Sequence, residues 1–218
     1  MQTITAYKMN PASAKLIGVS DFITEKGAYT GVFTRAEIVR SPKGTQGVEF
    51  DFRSSEGQHA RYLTVWTVNS DGKELHGRKI LDAIMTCIGV RSIEASTIKF
   101  PKWDAQAGAE VQTHGEGFAS LMNVPVGVVL VREQYLALDQ TPKWKNVIVC
   151  PFEAATGRLA GERLENRSAE NLKKMVALLK DRTLSADSGR STNKGSRRPA
   201  DTHDDNGHRY SVPDEVDF

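Results

Sequence analysis

Three runs decide the fold: TGVFTRAEIVR (Thr30–Arg40), GVEFDFR (Gly47–Arg53) and ARYLTVWTVN (Ala60–Asn69). Each is rich in β-branched and aromatic residues, and turn chemistry separates them. The first connection, Ser41 to Gln46, holds Pro42, which presets φ, and Gly44, which accepts a positive φ. The second, Ser54 to His59, holds Gly57. Connections this short join antiparallel neighbours, so the runs read as a three-stranded meander.

Side-chain alternation gives the meander two faces. Val48, Phe50 and Phe52 alternate with Glu49, Asp51 and Arg53, and the apolar trio points to a core. In the third run Leu63 and Val65 face inward, so Tyr62, Thr64 and Trp66 face outward. In the first, Val32, Ala36 and Ile38 oppose Phe33 and Arg35. The expected outer face therefore carries Tyr62 and Trp66 near Phe33, Arg35 and Arg61. Rings stack unpaired bases and cations meet phosphates, so this surface suits single-stranded nucleic acid. The plainer alternative is that another part of the chain covers these rings.

Outward from the meander, Gly77–Gly89 has Ile80, Leu81, Ile84, Met85 and Ile88 at helical spacing, with Gly89 suited to end the helix. Residues 92–124 read as irregular, with a Gly-rich His114-Gly115-Glu116-Gly117; Lys102 and Trp103 are further contact candidates there. Val126–Tyr135 and Asn146–Phe152 read as strands, joined through the polar Pro142-Lys143-Trp144-Lys145. Ser168–Leu184 reads as a second helix with Ser168 as N-cap. Met1–Lys26 offers an edge strand or a loop over one end of the sheet.

The order β-β-β-α-β-β is that of a five-stranded oligonucleotide/oligosaccharide-binding (OB) barrel with a helix between strands 3 and 4. The expected fold is thus mainly β (α+β). Residues 1–184 form the domain with its C-terminal helix, and residues 185–218 a disordered linker and acidic tip.

Charge is unevenly spread. Residues 201–218 hold six acids against one base, Arg209, a net −5; with +2 over the whole chain, the rest carries +7. A basic body with an acidic end suits a nucleic-acid binder. The two cysteines, Cys87 and Cys150, lie in apolar surroundings without a CxxC, which predicts buried thiols in a reducing compartment and neither a zinc site nor a disulfide framework. No apolar run has the length of a membrane span, and no signal-peptide hydrophobic region opens the chain.

The chain closes on Val212-Pro213-Asp214-Glu215-Val216-Asp217-Phe218. A barrel-forming body, a polar linker and an acidic tip ending on Phe resemble bacterial and bacteriophage single-stranded DNA-binding proteins. Bacterial members end in Asp residues, Ile, Pro and Phe; here Pro stands further upstream and an Asp directly precedes Phe218. The resemblance implies a non-enzymatic protein, phage-encoded and acting in the bacterial host cytoplasm. It would coat single-stranded DNA in replication, recombination or repair, with no cofactor and with self-association open. Phe33, Tyr62, Trp66 and Trp144 would stack bases. Arg35, Lys43, Arg61, Lys143 and Lys145 would hold phosphates. Asp214, Glu215, Val216, Asp217 and Phe218 would dock on a partner protein with a basic-rimmed apolar pocket.

The rival readings are an annealing or recombination-mediator protein, a metal-dependent nuclease using Glu49 and Asp51, and a protein-interaction barrel. A carboxylate pair on a strand is more simply a solvated face. The five histidines show no metal-ligand spacing, and neither phosphate-loop motif nor a nucleophile elbow is present, so no catalytic or metal residues are assigned.

Overall fold

A computed structural model of the chain describes residues 8–11, 20–104, 106–137 and 139–184. The fold is mainly β: seven strands in one open antiparallel sheet, with three α-helices among the described residues. The strands are β1 (Gly27–Arg40), β2 (Gln46–Ser54), β3 (His59–Val68), β4 (Ser96–Asp104), β5 (Ala109–Gly117), β6 (Pro125–Leu136) and β7 (Pro142–Phe152). The helices are α1 (His76–Ile88), α2 (Ala160–Leu164) and α3 (Asn171–Leu178). None is long and apolar enough to cross a membrane.

The meander is present as read. β2 pairs β1 on one side and β3 on the other, and Val48, Phe50 and Phe52 are buried. Gly44 and Gly57 take positive φ in the two turns. The Phe33 ring packs 4.4 Å from that of Phe50 and edge-on to that of Phe52. Each such ring contributes roughly 1.5–3 kcal/mol by leaving water. Helix α1 closes the core with Leu81, Ile84 and Cys87 and ends where Gly89 turns left-handed at φ 84°.

β1 is the strand on which the sheet divides. Its first half pairs β6 from Gly27 to Val32, and its second half reaches β5 at Glu37. The sheet runs β3-β2-β1-β5-β4, with β6 and β7 branching from β1. No hydrogen-bonded ladder joins β3 to β7 among the described residues, so the expected closed ring of five strands is replaced by an open sheet of seven. A short segment stitches the gap. The Ile23 N–H donates to His59 O, the His59 N–H to Asp21 O, and Asn146 Nδ2 to Ile23 O. Of the described residues in Met1–Lys26, only Phe22 forms a β-bridge to the sheet, at His59.

Three other expectations are corrected. Residues 92–124 are not irregular: they hold the β4–β5 hairpin and a 3-10 turn at Ala119–Leu121. Most of β5 is exposed and its sequence, AEVQTHGEG, lacks apolar alternation, so periodicity had nothing to register. Its turn is built locally, with Asp104 Oδ1 accepting the N–H groups of Gln106 and Ala107. β4 has a neighbour only on its β5 side and carries Pro101 opposite Gln112.

The second correction concerns the C-terminal helix, which spans only Asn171–Leu178. Ser168 does not cap it. Buried Glu162 does: its Oε1 accepts the N–H groups of Glu170 and Asn171, while its Oε2 accepts that of Leu159 at the start of α2. One carboxylate thus serves two helix N-termini, and these bonds hold its pKa below the usual range. The third is that Trp144, expected in a loop, lies within β7 opposite Gln134. Residues 185–218, with the expected linker, fall outside the described residues.

After α3 the chain runs along the edge of β6. Arg182 N donates to Arg132 O, and Gln134 N to Arg182 O. Asp181 accepts the Arg132 N–H at 3.0 Å, and that bond, with the Arg132 guanidinium, holds its carboxyl below the ordinary value. A lowered carboxylate stabilises the fold above about pH 4, and the contribution is lost as pH falls through the lowered value. On acid titration the Arg132 and Gln134 amide resonances should therefore shift together as this strap leaves β6. Independent movement of the two would contradict the linkage.

Cys87 is buried as expected, whereas Cys150 is only half-buried. Burial pushes Cys87 up to about 12 and Cys150 up to about 11, which leaves both protonated at neutral pH.

Candidate nucleic-acid interface

Two bulges set the outer face of the meander. In β1 the register shifts between Phe33 and Arg35. The extra residue changes the parity of the strand, so Phe33 and Ala36 both enter the core. Phe33 is fully buried and is not a stacking residue; that expectation is corrected. In β3 the register shifts again: Phe50 faces Leu63 and Phe52 faces Ala60, leaving Arg61 and Tyr62 together against Asp51. Ala60 and Leu63 both point inward, so Arg61 and Tyr62 both point outward. Tyr62 takes φ 58°, unusual for an aromatic residue, and its N–H donates to Asp51 Oδ1 at 2.9 Å.

Arg35 is the second correction. Its residue is 1% exposed, so it cannot meet a phosphate from solvent. Its guanidinium gathers three carboxylates: Glu37 at 2.8 Å, Glu49 at 2.7 Å and Asp51 at 3.0 Å. It lies over the rings of Tyr62 and Phe100, with Phe100 supplied by β4. Thr64 donates a further hydrogen bond to Glu49. Burial opposes its charge, but Asp51, Glu49 and Glu37 outweigh this and raise its pKa above the ordinary arginine value. Glu49 and Asp51 are therefore not a solvated pair, and a guanidinium occupies the space between them that a nuclease metal would need. Among the described residues no cluster of acids, His or Cys could hold a metal ion.

The remaining expected residues fall into separate groups. Tyr62 is 37% exposed. Arg61 beside it is half-buried, pairs with Glu110 of β5, and lies 5.8 Å from the exposed ring of Phe22. Trp66 stands four residues along β3, about 13 Å away at strand spacing. Its half-buried ring lies over Gly47, where any Cβ would press on it at 3.0 Å. Lys43 is exposed in the turn at that same end, since Gly44 there abuts Ser70 beyond β3.

On β7, Trp144 is 40% exposed and stacks with the Arg132 guanidinium at 4.8 Å. Alternation sends Lys143 and Lys145 to the opposite side of the β6–β7 ribbon, where Lys145 pairs with Glu133 at 2.9 Å. The expected Lys-Trp-Lys cluster is thus split between two faces. Lys102 is half-buried on β4, and the Trp103 side chain falls outside the described residues. The tip residues Asp214, Glu215, Val216, Asp217 and Phe218 also fall outside them.

Sequence reasoning missed Phe22, Arg53, His59 and Arg132. Arg53 pairs across from His59, and His59 is bridged to Phe22, which makes one row across the outer face. Arg132 was read only as part of an apolar strand, yet its position opposite Asn146 sets it against Trp144. The mixture of Phe22-Ile23 in a polar segment was the available signal for the first. No protein-family model matches the chain, and no curated protein matches it in sequence.

Proposed function

We propose that this protein binds single-stranded DNA without catalysis and with little sequence preference, in replication, recombination or repair. The observation that carries the reading is the β3 bulge, which turns a cation and an aromatic ring outward together at the cost of a left-handed backbone. Strain of that kind at an exposed ring is characteristic of binding sites. Exposed Trp144 on Arg132, and Trp66 on the same strand face as Tyr62, extend the same chemistry. Buried Glu49 and the half-buried carboxylates Glu37 and Asp51 disfavour a path over β1 and β2. The strand is therefore taken along the outer edge of β3, past Arg61, toward Trp144. The element order supports an OB-type arrangement of β1, β2, β3, β6 and β7, with α1 after the third of these strands and the β4–β5 hairpin as an insertion. Asp214 to Phe218 would recruit a partner protein through the terminal ring, its carboxylate and the preceding acids.

The test is a titration of tryptophan fluorescence with oligo-dT. Binding should quench the emission, Trp66→Ala should lose part of the quench, and added salt should weaken affinity steeply. A chain lacking Asp214–Phe218 should bind DNA as well or better while losing the partner. Unchanged emission together with unchanged anisotropy of a labelled strand would end the reading.

A further inference from the structure

Phe22 is 52% exposed, yet its backbone is held on both sides. The bonds between Asp21, Ile23 and His59 lock it parallel to β3, and the Asn146 amide holds Ile23 from β7. Ile23 is the residue that anchors this segment in the core, 3% exposed. Phe22 is therefore not needed as an anchor, and alternation turns it onto the outer face. There the Arg61 guanidinium lies 5.8 Å from its ring, with His59 and exposed Arg53 in the adjoining row. The acids nearby include exposed Asp21, Asp51, which faces Arg61 and Tyr62 from β2 and is held by Arg35, and exposed Glu110, which pairs with Arg61.

We propose that Phe22 and Arg61 form a nucleotide subsite of their own: one unpaired base stacks on the Phe22 ring, its phosphate takes the Arg61 guanidinium, and Glu110 occupies that guanidinium until the strand arrives. This rests on the single-stranded DNA reading above. Three features carry it. A large ring is fixed in water without a packing task. A cation sits within stacking distance of it, the combination that base and phosphate together require. The competing carboxylate comes from a hairpin strand and is itself 40% exposed, and ion pairs that open to solvent are weak enough for a phosphate to displace. Tyr62 adjoins Arg61 on β3, which places a second ring next to the subsite.

The experiment is anisotropy of labelled oligo-dT with the full chain and three substitutions at one position. Phe22→Ala and Phe22→Leu should each weaken binding by about 5- to 150-fold, the range expected for one stacked base, while Phe22→Trp should retain it. Glu110→Gln should tighten binding by about 2- to 5-fold by freeing Arg61. Crosslinking from a strand carrying 5-iodouracil should label the peptide that contains Phe22. Unchanged melting temperatures would exclude misfolding as the cause. If the wild-type chain binds oligo-dT and Phe22→Ala and Phe22→Leu bind equally well, the subsite is overturned and the general reading survives. If Phe22→Leu binds like wild type while Phe22→Ala does not, apolar contact replaces stacking and the proposal fails as stated. An unmoved Glu110→Gln overturns the competition. If the wild-type chain binds no oligo-dT, the underlying reading fails first.

Discussion

Arg35→Met should lower the unfolding free energy by about 3–5 kcal/mol, the usual cost of leaving buried charges without their partner. Three carboxylates converge on this guanidinium, and Glu49 is nearly as buried as Arg35 itself. Urea denaturation followed by circular dichroism would measure the loss. Arg35→Lys should recover only part of it, because a single ammonium cannot reproduce the fork that reaches Glu37 from one nitrogen and Glu49 and Asp51 from the other. A loss below about 1 kcal/mol in Arg35→Met would mean that the carboxylates rehydrate, and the cluster would then be peripheral to stability. The consequence extends to binding. Asp51 Oδ1 accepts both Arg35 and the Tyr62 N–H, so the same guanidinium steadies the bulge that turns Tyr62 outward.

The second large effect is expected from Tyr62→Ala combined with Trp144→Ala. The rings stand on different strands, so their losses should roughly add to about 2–6 kcal/mol of DNA binding, or about 30- to 10⁴-fold in affinity. Because both side chains are partly exposed, the double variant should melt close to wild type. Lys143→Ala on the far side of the β6–β7 ribbon should change affinity little, which separates a located site from general charge attraction. If the double variant binds as tightly as wild type and Lys143→Ala does not, the binding surface lies on the opposite face of that ribbon.

The sequence was most legible where the period was strong. Strands β1 to β3, helix α1 and strands β6 and β7 were all found because their apolar residues recur without interruption. What it could not reveal were the bulges. A single extra residue in β1 reverses the parity of everything beyond it, so Phe33 moved from the expected surface into the core. The same device in β3 is what brings Arg61 to the face of Tyr62, where it was expected although strict alternation would have parted them. Assigning Pro142–Lys145 to a loop had the opposite effect: it united Trp144 with lysines that a strand necessarily points away from it. Arg35 misled for a chemical reason, since a charged residue is rarely buried without partners and its three partners lie on two strands. The β4–β5 hairpin was hidden because β5 is largely polar and β4 offers only Ile98 and Phe100 as buried apolar residues.

Pro101 fixes where this sheet ends. A prolyl nitrogen has no hydrogen to lend to a further strand, and β4, the outermost strand on that side, carries one at its centre. Two copies of the protein therefore cannot extend this sheet through the Pro101 position. Any packing between copies must use side chains or another margin, and the hairpin is left an arm rather than a seam.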